Sequence, residues 1–83
     1  MDKIDKQNQT FETTNLSLCA ALCCKGYEID EILKDDGGKA TFILTLTEDL
    51  EDLVWSFWNK QLSVDALTFY NIIRGIKNRI IQA

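Results

Sequence analysis

The sequence predicts an α+β fold, a small antiparallel three-stranded sheet packed by helices in the order β-α-β-β-α-α, and three features carry that prediction. A Gly-Gly turn between two runs of strand-like residues marks a β-hairpin in the middle of the chain. The uncharged run over residues 13–24 marks a short helix buried on most sides, and apolar residues spaced by three and four after Thr47 mark two amphipathic helices. With 83 residues, 46% apolar side chains, 27% charged and no proline, the chain suits one ordered domain with a core of its own.

Residues 1–9 hold two aspartates, two lysines and only Ile4 as a sizeable apolar group after Met1, so they predict a flexible N-terminal arm and leave 10–83 as the single domain. Thr10-Phe11-Glu12-Thr13 alternates polar and apolar and suits a short edge strand. Thr13 or Thr14 can cap a helix over about 15–25, and Gly26 suits its left-handed exit. Tyr27-Glu28-Ile29-Asp30 alternates and then slips at Glu31-Ile32-Leu33, which marks a strand with a bulge or an early end.

Asp35-Asp36-Gly37-Gly38 supplies the hairpin turn. The strand over 39–47 then places Ala40, Phe42, Leu44 and Leu46 toward the core and Thr41, Ile43, Thr45 and Thr47 on an open face. Thr47 is the expected cap of the next helix, where Glu48, Asp49, Glu51 and Asp52 complement the macrodipole. Leu50, Leu53, Val54, Phe57, Trp58 and Leu62 form its apolar stripe, with Trp55 on the flank. Ser63-Val64-Asp65-Ala66 opens the last helix, whose buried face is Phe69, Tyr70, Ile73, Ile76 and Ile80, with Leu67 and Ile72 off that face.

Thirteen acids against nine bases give a net charge of -4, and the absence of histidine removes the commonest acid/base, triad and metal-ligand chemistry. The longest uncharged run is twelve residues, short of the roughly 20 a membrane-spanning helix needs. The amino terminus lacks the apolar run of a signal peptide, so a cytoplasmic location is expected. Cys19, Cys23 and Cys24 are odd in number and crowded within six residues, which predicts reduced, largely buried thiols and no disulfide framework. Cys23 and Cys24 point about 100° apart on a helix, and no histidine can complete a tetrahedron, so no metal site is predicted. No glycine-rich phosphate cradle occurs, since Gly37-Gly38 lacks the lysine and the following helix that one requires. No catalytic residue, cofactor or metal is therefore assigned.

Charge is unevenly spread: residues 1–59 hold five bases and twelve acids, whereas residues 60–83 hold four bases and one acid. Lys60, Arg74, Lys77 and Arg79 are the candidates for nucleic-acid contact, although bases near a helix carboxyl terminus also complement its dipole. Trp55 and Trp58 cannot both face the core fully, and Trp55 is the candidate anchor for a protein interface.

A run of landmarks goes through Phe11-Glu12-Thr13-Thr14-Asn15-Leu16, Ala20-Ala21-Leu22, Lys25-Gly26-Tyr27, Thr41-Phe42, Phe57-Trp58-Asn59 and a closing basic helix with Arg74 and Lys77. In these the chain resembles an uncharacterised family of short bacterial, archaeal and phage-encoded domains, a domain of unknown function. Asn15 departs from an aspartate common in such proteins, and Gly37-Gly38-Lys39 from a more basic turn. The resemblance implies a compact α+β fold in a bacterial cell or an infected host, and no reaction.

The expected function is a small non-catalytic protein-interaction module, phage-encoded in its most specific form and binding or inhibiting a host protein. Its partner-binding candidates are Trp55, the open sheet face at Thr41, Ile43 and Thr45, and the carboxylates Glu48, Asp49, Glu51 and Asp52, which can mimic phosphates. A protein partner or a homodimer is expected, and no membrane. The alternative is a nucleic-acid accessory protein that combines the basic last helix with Trp55 or Tyr27 as a stacking surface.

Overall fold

A computed structural model describes residues 2–82. In chain order its elements are β1 (Lys3–Asp5), β2 (Thr10–Thr13), α1 (Leu16–Cys24), β3 (Ile29–Lys34), β4 (Ala40–Thr45), α2 (Leu50–Trp58) and α3 (Ala66–Gln82). The sheet is antiparallel with the strand order β1-β2-β4-β3, so the fold is α+β with four strands where the sequence predicted three.

The additional strand lies in the segment read as an arm. It turns back because the Asp5 carboxylate accepts from the Asn8 backbone amide at 3.1 Å and from the Asn8 side chain at 2.9 Å, and Gln9 takes a left-handed φ of 56°. Ile4 then lies opposite Phe11, and Lys3 opposite Glu12. Three residues, two of them charged, give no readable alternation, which is why β1 was not legible. Its presence makes β2 an internal strand, not the edge strand expected from its sequence.

The hairpin forms where it was predicted. One Asp35 carboxylate oxygen accepts from the amides of Gly37 and Lys39, both at 2.9 Å, while Gly38 turns the chain at a φ of 83°. The register between β3 and β4 shifts between Ile29 and Glu31, the bulge announced by the slip in alternation.

Helix α1 explains the core. Leu18 to Leu22 are all buried, as expected of a helix that is apolar all round. It packs against β2, with α2 and α3 both docked on it, so it lies at the centre of the helical layer. The molecule is correspondingly flat, 35 × 33 × 19 Å. Phe11, Phe42 and Leu44 from the sheet meet Leu18, Leu22, Leu50 and Ile76 from the helices.

The ends of α1 differ in part from the prediction. Its cap is Asn15, whose side chain accepts from the Leu18 amide at 3.0 Å. Thr13 is fully buried in β2, where its hydroxyl donates to Asp2 at 2.6 Å and accepts from the Asn15 amide at 3.1 Å. At the other end the Gly26 amide donates to Cys23 and the Tyr27 amide to Leu22, a left-handed exit with Gly26 at a φ of 99°.

Two further corrections concern orientation. Thr47 does not cap α2, because its hydroxyl is bonded to the Tyr27 hydroxyl. Asp49 occupies the cap position with no side-chain bond. Trp58 and Tyr70, both read as core-facing, are exposed, whereas Ile72 packs against the core. Arg74 lies over the Tyr70 ring at 5.7 Å, which gives that ring a partner outside the core.

Candidate functional site

Helix α2 divides cleanly by side. Leu50, Leu53, Val54 and Phe57 fall within one arc at 100° per residue and pack into or against the core. Glu51, Asp52, Trp55, Trp58 and Asn59 fall on the opposite arc and are exposed. Trp55 is 61% exposed and Trp58 56%. The face therefore begins with carboxylates and ends with two indoles.

Each part has a local cause. The acids sit in the first turn, where the amide ends of the helix dipole favour negative charge. Glu48 and Asp49 precede that turn and are also exposed, so all four candidate carboxylates lie at one end of the same helix. Trp58 is fixed by an edge-on contact with Phe57, ring centroids 5.1 Å apart at 88°, and it borders a recess with Asp2, Thr14 and Asn15. Trp55 stands at the centre of the outward arc.

The open sheet face is a different surface. Thr41 and Ile43 are half-buried and Thr45 is exposed, its hydroxyl donating to Asp30 at 2.6 Å. These residues belong to β4, an internal strand, so the unpaired edges are β1 and β3. Pairing in register puts Lys3, Asp5, Thr10, Glu12 and Glu31 on this face with them. The same register sets the exposed Leu33 beside Thr41, so the face mixes carboxylates with Ile43 and Leu33.

The basic candidates do not form one patch. Arg74 is over Tyr70, whereas Arg79 lines a crevice with Cys23, Glu28, Ile29 and Asp30. Lys77 is exposed on α3, and Lys60 lies beyond α2 at a left-handed φ of 61°. Tyr27 borders a hollow that brings Thr45 and Asp30 of the sheet together with Asp49 at the acidic end of α2, and Thr47. Among the described residues no group of three or more acidic, cysteine or histidine side chains could hold a metal, and no helix is long and apolar enough to cross a membrane.

Sequence reasoning missed Trp58 as an outward residue. Spacing alone leaves both orientations open, since Trp58 follows Trp55 by three positions and Glu51 by seven but also Val54 by four and Leu50 by eight.

A two-layer α+β domain with an acidic, aromatic helix face is the class these observations define. The family described as a domain of unknown function, DUF5659, matches residues 8–82, and the chain belongs to it. No curated protein and no solved structure matches the chain.

Proposed function

We propose that this domain is a non-catalytic protein-interaction module that docks the outward face of α2 on a basic protein surface with an apolar recess. The observation that carries the reading is the exposure of Trp55 and Trp58 on the same side of α2 as Glu51 and Asp52. Large exposed aromatic groups on a folded helix lose little conformational freedom on binding, and burying them supplies most of an anchor's affinity. The neighbouring carboxylates add orientation and rate, because they attract a basic partner over a distance of about a Debye length, ~8 Å in physiological salt.

The same charges favour protein over nucleic acid as the partner of this face. A strand stacked on Trp55 would bring its phosphates beside Glu51 and Asp52, which repel them. The sheet edges are weaker docking candidates. β3 is bulged and carries Asp30 and Glu31, and β1 is three residues long, both features that discourage strand addition.

The test is affinity capture from the source cell by the immobilised domain, the Trp55→Ala variant and the Glu51→Lys/Asp52→Lys variant, with quantitative mass spectrometry. The proposal expects a basic protein retained by the original domain and depleted roughly tenfold or more by either variant. Equal retention by all three would refute it.

A further inference from the structure

Phe57 belongs to both sides of α2. It packs against the core alongside Leu53 and Val54, yet its ring also meets the Trp58 indole edge-on, the centroids 5.1 Å apart at 88°. Consecutive helical residues point about 100° apart, so two such rings meet only when both side chains turn toward their shared border. The far side of Trp58 is also set. The indole borders a recess with Asp2, Thr14 and Asn15, and two of these are fixed: Asn15 accepts from the Leu18 amide at 3.0 Å, and Asp2 from the Thr13 hydroxyl at 2.6 Å. Trp55 differs, for it stands exposed at the centre of the outward arc, and among the described residues no ring contact holds it.

We propose that Phe57 is the positioning residue of the docking face: it holds the Trp58 indole outward before a partner arrives, so that Trp58 is the pre-set anchor and Trp55 orders on contact. The inference rests on the reading of α2 as a docking face and names what sets the geometry of that face. Helical position leaves Trp58 free to face either way, and the contact with Phe57 selects the outward orientation. An aromatic side chain already held in its bound orientation gives up less freedom when a partner covers it. An unbraced exposed side chain reorients within picoseconds to nanoseconds, and stopping that motion costs part of the affinity.

The chemistry of the contact separates this role from mere packing. Edge-to-face geometry sets the positive rim of one ring against the negative face of the other, which gives it a preferred angle. Leucine at position 57 would still cover the core but has no ring to orient the indole. Tyrosine would keep the ring, and with it the preferred angle.

The test reads indole motion in the unbound full chain by time-resolved fluorescence anisotropy. Trp55→Phe leaves Trp58 as the sole indole, and Trp58→Phe leaves Trp55. The expected result is a Trp58 signal that decays almost wholly with the tumbling of the domain, and a Trp55 signal that loses a severalfold larger fraction to faster local motion. In the Trp55→Phe chain, Phe57→Leu should release Trp58 to motion like that of Trp55, and Phe57→Tyr should keep it fixed, with circular dichroism unchanged in both. Equal motion of the two indoles, a Trp58 freer than Trp55, or a Trp58 that stays fixed in the Phe57→Leu chain would each overturn the proposal. The comparison of the two indoles needs no change at Phe57, so it decides even if that substitution disturbs the fold. No partner enters the measurement, so a freely moving Trp58 in a domain that still captures a basic protein would remove the positioning role and leave the docking reading intact.

Discussion

Phe42 and Trp55 are both large aromatic side chains, and the fold uses them in opposite ways. Phe42 lies on the core-facing side of β4 with Leu44 and is 2% exposed, packed in the cluster that α1 centres. Truncating it should leave a cavity that a helix apolar all round cannot refill, so Phe42→Ala should cost about 3–5 kcal/mol in urea denaturation. Trp55→Ala should change stability by no more than about 0.5 kcal/mol, because the exposed indole contributes little to the core. A large loss from Trp55→Ala would mean that the residue is structural and would remove the basis for treating it as an anchor. Both positions were legible in the sequence, Phe42 from a period of two and Trp55 from its place beside a period of 3.6. Trp58 and Tyr70 were not, because each lies at the boundary of an apolar stripe, where periodicity leaves either orientation open.

Elements were legible where local chemistry dictates them and obscure where a distant partner does. The Asp35–Gly38 turn and the Gly26 exit depend on residues next to them in sequence, and both formed as read. Strand β1 depends on pairing with β2, and no pattern within Lys3–Asp5 announces that pairing. The cap of α1 moved to Asn15 because tertiary burial claimed Thr13, and Thr47 was claimed by Tyr27.

The start of α3 is a further local case. The Asp65 carboxylate accepts from the Thr68 amide at 2.9 Å and the Thr68 hydroxyl at 2.8 Å, and these bonds, the amide first, hold its carboxyl below the usual range. A carboxyl lowered on folding stabilises the fold above its unfolded value and loses that contribution as pH falls through the folded value. Asp65→Asn retains an acceptor and does not titrate. Its stability deficit relative to the unaltered chain should therefore shrink as pH is lowered from about 5 toward 2 in thermal unfolding. A deficit independent of pH would show that the charge of this cap does not matter.

At the scale of the whole molecule, the flat two-layer shape offers two broad surfaces, and charge separates their uses. The outward sheet face carries Asp5, Glu12, Asp30 and Glu31 against Lys3, with Ile43 and the exposed Leu33 among them, so two copies stacked face to face would cover those apolar groups but place like charges together. The α2 face combines acids with indoles, a pairing that suits a basic partner with a recess. The candidate face was legible in part: its acids and Trp55 follow from sequence, but its separation from the sheet face depends on how α2 docks on α1. The sequence spacing already spreads Arg74, Lys77 and Arg79 around the last helix, and the structure places Arg74 over Tyr70 and Arg79 at the crevice beside Cys23.

The most direct measurement is site-specific photocrosslinking in the source cell, with a benzophenone side chain placed at Asn59 on the outward arc of α2, where Trp55 is left intact, and, separately, at Leu67, an exposed apolar residue of α3. Docking through α2 predicts a discrete protein adduct from position 59 and none from position 67. No adduct from position 59, or the same adduct from both positions, would contradict it.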